Sequence, residues 1–153
     1  MFYHGSKRSG MKVLQPQPTH HHLVDPDGVS HSMVVYLSSS PIIALLFLSN
    51  KWSDKEIDLA SEGGDLEGVG MTFTITELKP GVMQRYFHGT QGSLYTVEDG
   101  DYDWGKYTTG FIGEHTAYKP VKVLSERRIT DVLAELKKLN AKIIYANPAS
   151  SQW

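Results

Sequence analysis

The sequence predicts an α+β domain in which antiparallel strands dominate and a few helices flank them. Three observations carry this. Short strand-like runs recur along the chain, while only two segments read as helices. The 153 residues fit one domain spanning 1–153, with no change of composition that would mark a second. No internal repeat of solenoid length is present.

Phe2-Tyr3 opens a short first strand, stopped by Gly5 and Gly10. Lys12 to Ser32 is rich in Pro, His, Asp and Gly and reads as a loop lying on the domain. Met33 to Leu37 is β-branched and apolar, a buried strand. Ser40-Pro41 is a helix start, because Ser caps and Pro suits the first helical position. That helix runs to about Asn50 and is apolar on nearly every side, so it is expected in the core.

Lys51 to Gly70 is polar and expected to be a loop with one helical turn. Met71 to Leu78 alternates with period two, a strand with one wet face. Lys79-Pro80-Gly81 is a turn, and Ser93 to Val97 a further strand. Tyr102 to Gly110 has no clear period. Glu114 to Tyr118 and Val121 to Leu124 are strands parted by Pro120. Thr130 to Asn140 is an amphipathic helix with Val132, Leu133, Leu136 and Leu139 on one face. Ile143 to Tyr145 closes the chain's regular structure.

Composition excludes several classes. A net charge of −2, from 15 basic and 17 acidic residues, argues against non-specific nucleic-acid binding. With no cysteine there is neither a disulfide nor a thiolate metal site. The longest apolar run, Pro41 to Leu48, is far below the ~20 residues that span a bilayer, so no membrane partner is expected. The first residues lack the basic and apolar regions of a secretion signal, and a cytoplasmic location is expected. His20, His21 and His22, with His31 nearby, invite a metal reading. Adjacent residues of an extended chain point to opposite sides, so no metal is expected there. Asp99, Asp101 and Asp103 lack the Gly and distal Glu of a calcium loop.

Three short motifs remain: Tyr3-His4-Gly5-Ser6 at the end of the first strand, Tyr36 in the strand before the apolar helix, and Gly113-Glu114-His115-Thr116-Ala117-Tyr118 opening a late strand. Each alone has a plain structural explanation. His4 then bonds backbone at a strand end, Tyr36 and Phe47 fill the core, and Glu114 is a solvated carboxylate at a strand edge. In this order they resemble the His-Tyr-Glu group of ADP-ribosyltransferases, which includes poly(ADP-ribose) polymerases and diphtheria-toxin-like enzymes. The late segment is similar in detail. In that family the catalytic Glu opens a strand ending in a Tyr four residues on, as Glu114 and Tyr118 do, and a further apolar strand follows, as Val121 to Leu124 does. Polymerase-like members place a second nicotinamide-stacking aromatic eleven residues after the strand Tyr, where Phe47 stands.

The resemblance implies split antiparallel sheets with a few flanking helices, and NAD as substrate. It implies that His4 bonds a ribose hydroxyl and that the Gly5 backbone pairs with the nicotinamide amide, with Ser6 as a neighbouring polar group. Tyr36 and Phe47 would sandwich the nicotinamide ring. Glu114 would bond the ribose 2′-hydroxyl and stabilise the oxocarbenium-like charge as nicotinamide leaves. Lys7 and Arg8 are candidates for holding the pyrophosphate.

Two departures narrow the acceptor and the ligand set. Ala44 stands where the polymerase-like members have a Ser that bonds the amide. Ile112 stands where the arginine-modifying branch has Glu or Gln, so arginine is not the implied acceptor. A second aromatic-His-Gly-Thr, Phe87 to Thr90, precedes a strand of its own, but only the first copy has the Tyr and the Glu following in order. The expected activity is mono-ADP-ribosyl transfer to a protein, nucleic-acid or small-molecule acceptor, in a toxin-like or effector setting among others. The alternatives are NAD glycohydrolysis on the same residues, a non-catalytic nucleotide- or protein-binding module, and an unrelated α+β interaction domain in which the three motifs coincide by chance, the last marked by His4, Tyr36 and Glu114 failing to line one cleft.

Overall fold

A computed structural model describes residues 1–49, 52–64, 70–104 and 114–146, without the side chains at 20–22 and 104. The chain is α+β, and among the described residues the strands pair antiparallel except for one parallel pair. The large sheet runs, edge to edge, β2 (Val13–Leu14), β10 (Val121–Ile129), β7 (Gly92–Val97), β1 (Phe2–Ser6), β4 (Ser30–Ser38), β9 (Glu114–Ala117) and β8 (Asp103–Trp104). β3 (Gln17–Val24) pairs with the first half of β4. A second sheet holds β11 (Lys142–Ile144), β6 (Met71–Glu77) and β5 (Ile57–Gly63), with β11 parallel to β6.

Period-two alternation sorts the large sheet into two cores. On one face Leu94 and Ile129 pack with helix α1 (Pro41–Leu46), α2 (Val82–Phe87) and α3 (Val132–Lys138), and with Phe73 and Ile75 of the small sheet. On the other, Leu14, Val35, Leu37, Tyr95, Val97, Ala117 and Val121 form a separate cluster.

The helices end where capping chemistry changes. The Ser40 hydroxyl accepts from the Ile42 N–H and Pro41 opens α1, as expected. α1 stops at Leu46 rather than near Asn50. Its last turn tightens, with the Leu48 N–H bonding the Leu45 carbonyl, and Leu48 is buried. Asp131 caps α3 through the Ala134 N–H, and Asn140 at φ 62° stops continuation. α2 was not expected from the sequence, although Val82, Met83, Tyr86 and Phe87 carry the helical spacing.

Other expectations need correction. The 12–32 segment is not a loop on the surface: β2 and β3 lie in it, and a turn from Asp25 to Gly28, with Gly28 at φ 83°, returns the chain into β4. Polar side chains hid these strands, but the ladder needs only backbone groups. β5 likewise lies within the expected 51–70 loop, paired with β6. β10 runs on past Leu124 to Ile129, because β7 supplies partners for its polar residues. The second His-Gly copy lies at the end of α2, where the Gly89 N–H bonds the Asp131 carboxylate.

Candidate functional site

The three motif residues lie on three neighbouring strands, β1, β4 and β9. Tyr3 pairs with Ser38 and Ser38 with Glu114, so these form one row across the sheet. Tyr36 pairs with Thr116 one step along. Alternation therefore places Tyr36, Ser38, Glu114 and Thr116 on one face and gives His4 the other.

His4 is nonetheless tied to β4. Its Nδ1 lies 2.7 Å from the Tyr36 carbonyl, and since a carbonyl only accepts, Nδ1 carries the hydrogen. Nε2 is then the acceptor. Burial holds the His4 pKa below its ordinary value, with the bond to the Tyr36 carbonyl acting in the opposite sense. The ring is thereby neutral near pH 7, suited to receive a hydroxyl hydrogen.

Where β3 and β1 flank β4 they leave a cavity of about 440 Å³. His4, Ser6, Arg8, Gln15 and Gln17 give its polar lining, and Tyr36 borders it. Met11, Leu14, Pro18, Val34 and Val35 give its apolar lining. One wall is the 7–12 connection, stapled down by side chains of β7 and β10. The Tyr95 hydroxyl donates to the Arg8 carbonyl at 2.6 Å and accepts from the Met11 N–H at 3.3 Å. The Glu126 carboxylate accepts from the Gly10 N–H at 3.0 Å and from the Ser93 hydroxyl, which in turn accepts from Arg128 at 2.8 Å. The Ser93 bond, followed by the Gly10 bond, holds the Glu126 pKa below the usual carboxylate range.

Other expected site residues fall elsewhere. Glu114 is fully buried in an interior strand, so the solvated edge carboxylate is not what forms. It does not border the cavity. Gly5 is covered by α1, and a Cβ there would stand 2.0 Å from the Ala44 carbonyl oxygen. Phe47 caps the C-terminus of α1, 39% exposed, and lines a separate recess with Ile43, Leu46, Trp52 and Leu59. It faces a different opening from Tyr36, so the two do not form the expected sandwich. Among the described residues no group of His, Asp and Glu could hold a metal ion, and no helix is long and apolar enough to cross a membrane. The histidine triplet's side chains, and Ile112 and Gly113, lie outside the described residues.

Sequence reasoning missed Thr19, Gln15 and Gln17 as site residues. The Thr19 and Tyr36 hydroxyls lie 2.6 Å apart. Their signal was slight: Gln17 to Val24 shows no period-two alternation, and only the Asp25-Pro26-Asp27-Gly28 turn marks a hairpin.

The depressed His4 pKa makes stability pH-dependent. The folded protein disfavours the charged ring, so on acidification through its ordinary value of 6.5 the unfolded chain takes up the proton first. The contribution is complete above that value and is lost as pH falls towards the folded pKa. The melting temperature of the wild type should fall more steeply between pH 7 and 5 than that of His4→Gln. Parallel curves would remove His4 from the linkage.

Compared with protein-family models, curated proteins and solved structures, the chain matches none.

Proposed function

We propose that this chain is an NAD-dependent mono-ADP-ribosyltransferase with the family's split-sheet fold, binding NAD across β1, β4 and β9. The observation that carries this is the adjacency of the three motif strands. His4, Tyr36 and Glu114 are far apart in sequence, yet their strands are neighbours, and the His4 ring bonds the Tyr36 backbone.

In this reading His4 Nε2 accepts from a ribose hydroxyl in the cavity. Arg8 offers its positive charge to the pyrophosphate. Tyr36 stacks on the nicotinamide ring, whose positive charge favours an aromatic face. Glu114 has the charge to stabilise the ribose as nicotinamide departs, but it lies off the cavity and on the sheet face opposite His4, so that role requires NAD to be held from the Tyr36 face. Acceptor attack, or water in the glycohydrolase variant, completes the reaction.

A non-catalytic nucleotide-binding module is the second reading. The burial of Glu114 away from the cavity, on the sheet face opposite His4, favours it, and equally favours an unrelated α+β domain, since the three motif residues do not line one cleft.

Nicotinamide release on incubating the protein with NAD tests the proposal, with binding followed by calorimetry. Release is the expected result, and binding without release selects the module. Loss of both sinks the NAD reading. Tyr36→Ala should weaken NAD binding about 10-fold by removing a stacked ring worth roughly 0.5–1.5 kcal/mol. Tyr36→Phe, which keeps the ring and loses the bond to Thr19, should bind nearly as well as wild type.

A further inference from the structure

We infer that Tyr95 and Glu126 are positioning residues for ligand binding: they pin the 7–12 segment as a strap across the sheet and so set where Arg8 meets an anionic ligand in the cavity. This rests on the NAD-binding reading above.

The topology forces the segment to cross the sheet. β1 and β2 follow one another in the chain, yet β7 and β10 lie between them. The connection from Lys7 to Lys12 therefore passes over both strands. It crosses on the face that carries His4. Tyr95 is the register partner of His4, and Glu126 the partner of Tyr95, so the three side chains leave the sheet on the same side. The strap meets one pin at each strand it crosses. Over β7 the Tyr95 hydroxyl donates to the Arg8 carbonyl at 2.6 Å and accepts from the Met11 N–H at 3.3 Å. Over β10 the Glu126 carboxylate accepts from the Gly10 N–H at 3.0 Å.

Between its ends little else restrains the strap. Lys7, Arg8, Ser9 and Gly10 are exposed, and only Met11 packs against the apolar cluster on this face. The pins are themselves held. Tyr95 is fully buried. Glu126 is oriented by the buried Ser93 hydroxyl, which Arg128 engages in turn at 2.8 Å. A segment hung on polar side chains, rather than packed down on apolar ones, leaves space beside it. The cavity of about 440 Å³ opens there, bordered by Arg8 and Met11.

Arg8 is the end of this device that faces a ligand. It is the one charged side chain among the described residues that border the cavity, and no described residue pairs with its guanidinium. The cavity thus offers one cation, neutral polar groups from Ser6, Gln15 and Gln17, and no carboxylate. That set suits a ligand with an anionic segment, as NAD has in its pyrophosphate. The Tyr95 hydroxyl bonds the carbonyl of Arg8 itself, so it fixes the backbone from which the guanidinium projects. A charge-assisted hydrogen bond depends steeply on such placement.

The test measures NAD binding by calorimetry in the full chain and in Arg8→Ala, Tyr95→Phe, Glu126→Ala and Glu126→Gln, with melting temperatures to check folding. Arg8→Ala, Tyr95→Phe and Glu126→Ala should each weaken binding about 10-fold, the loss of one charge-assisted bond. Added to Arg8→Ala, Tyr95→Phe should cost no further affinity, because both act on one contact. Glu126→Gln keeps an oxygen for the Gly10 N–H and should not weaken binding. The sign for Glu126→Ala is decisive. Loss of a carboxylate near an anion site tightens binding by charge alone, whereas a loosened strap weakens it. Tighter binding there overturns the inference, as does wild-type affinity in Tyr95→Phe, and both leave the NAD reading standing. Additive losses in the double variant make Tyr95 a structural support of the cavity and overturn it as well. Glu126 is exposed, so its variants decide the matter if Tyr95→Phe does not fold. A wild type that does not bind NAD fails the NAD reading itself, and this inference with it.

Discussion

Under the proposed transferase reading, Glu114→Gln should slow nicotinamide release from NAD by about 100-fold or more while leaving NAD affinity nearly unchanged. The substitution is isosteric and removes only the negative charge. Ground-state NAD gains little from that charge, but the ribose acquires positive character as the glycosidic bond stretches. An interaction present only in the transition state lowers kcat when removed and spares binding. Glu114 is fully buried on β9, where water would screen a charge developing beside it poorly, but it does not border the described cavity. The measurement is initial-rate nicotinamide release beside calorimetric binding. Equal rates in the two proteins would take Glu114 out of the mechanism and favour the binding module. A lowered melting temperature with unchanged rates would give the carboxylate a purely structural role.

Gly5→Ala should lower stability by about 3 kcal/mol or more, from the cost of overpacking a rigid contact. A Cβ at Gly5 meets the Ala44 carbonyl oxygen at 2.0 Å, the Ala44 carbonyl carbon at 3.0 Å and Leu48 at 3.4 Å. The first two atoms are helix backbone, so α1 as a whole must lift from β1. Its five buried residues, Ile42 to Leu46, would lift with it. At roughly 2–4 °C per kcal/mol for a chain of this size, the melting temperature should fall by about 10 °C. Gly92→Ala is the control. Its closest obstruction is a Leu48 methyl at 2.5 Å, the end of a flexible side chain, although the Ser6 carbonyl oxygen stands at 2.9 Å. A smaller loss is expected there. Equal losses would mean that α1 yields as easily as a side chain does. The Gly5 result also separates two explanations of one residue: a requirement for helix packing exists whether or not nicotinamide ever approaches that backbone.

Much of the architecture was legible because local chemistry announces it. Ser40-Pro41 and Asp131 mark helix starts by capping, and the Val132, Leu133, Leu136 pattern marks the buried face of α3. Met71 to Leu78 declares a strand by alternation, and Glu114 to Tyr118 by its position between breaks. The strands that escaped notice are polar. Gln17 to Val24 and Ser125 to Ile129 pair through backbone N–H and carbonyl groups that every sequence possesses. Nothing in their side chains advertises the partner strand.

The candidate site divides in the same way. The residue types and order of His4, Tyr36 and Glu114 were visible in the sequence, as was the NAD chemistry they resemble. Their placement on adjacent strands was not, since pairing depends on which segments meet in three dimensions. Phe47 shows the converse. Spacing after Tyr36 offered it as a stacking partner, but α1 ends at Leu46 and its capping turn leaves Phe47 beside Trp52 and Leu59. In the sequence His31 reads only as a neighbour of the histidine triplet, whereas the Asp25 turn and the Tyr118 ring give it a fixed orientation.

By itself, then, the sequence determined the α+β class, the capped ends of two helices and the chemical types available for a site. These follow from the spacing of apolar and capping residues along the chain, which is local information. The tertiary structure decided which strands are neighbours, that Gly5 lies against the backbone of α1, and that the cavity opens between β1, β3 and β4. Those outcomes depend on contacts between distant segments, and burial and ladder pairing select them only when the whole chain is folded.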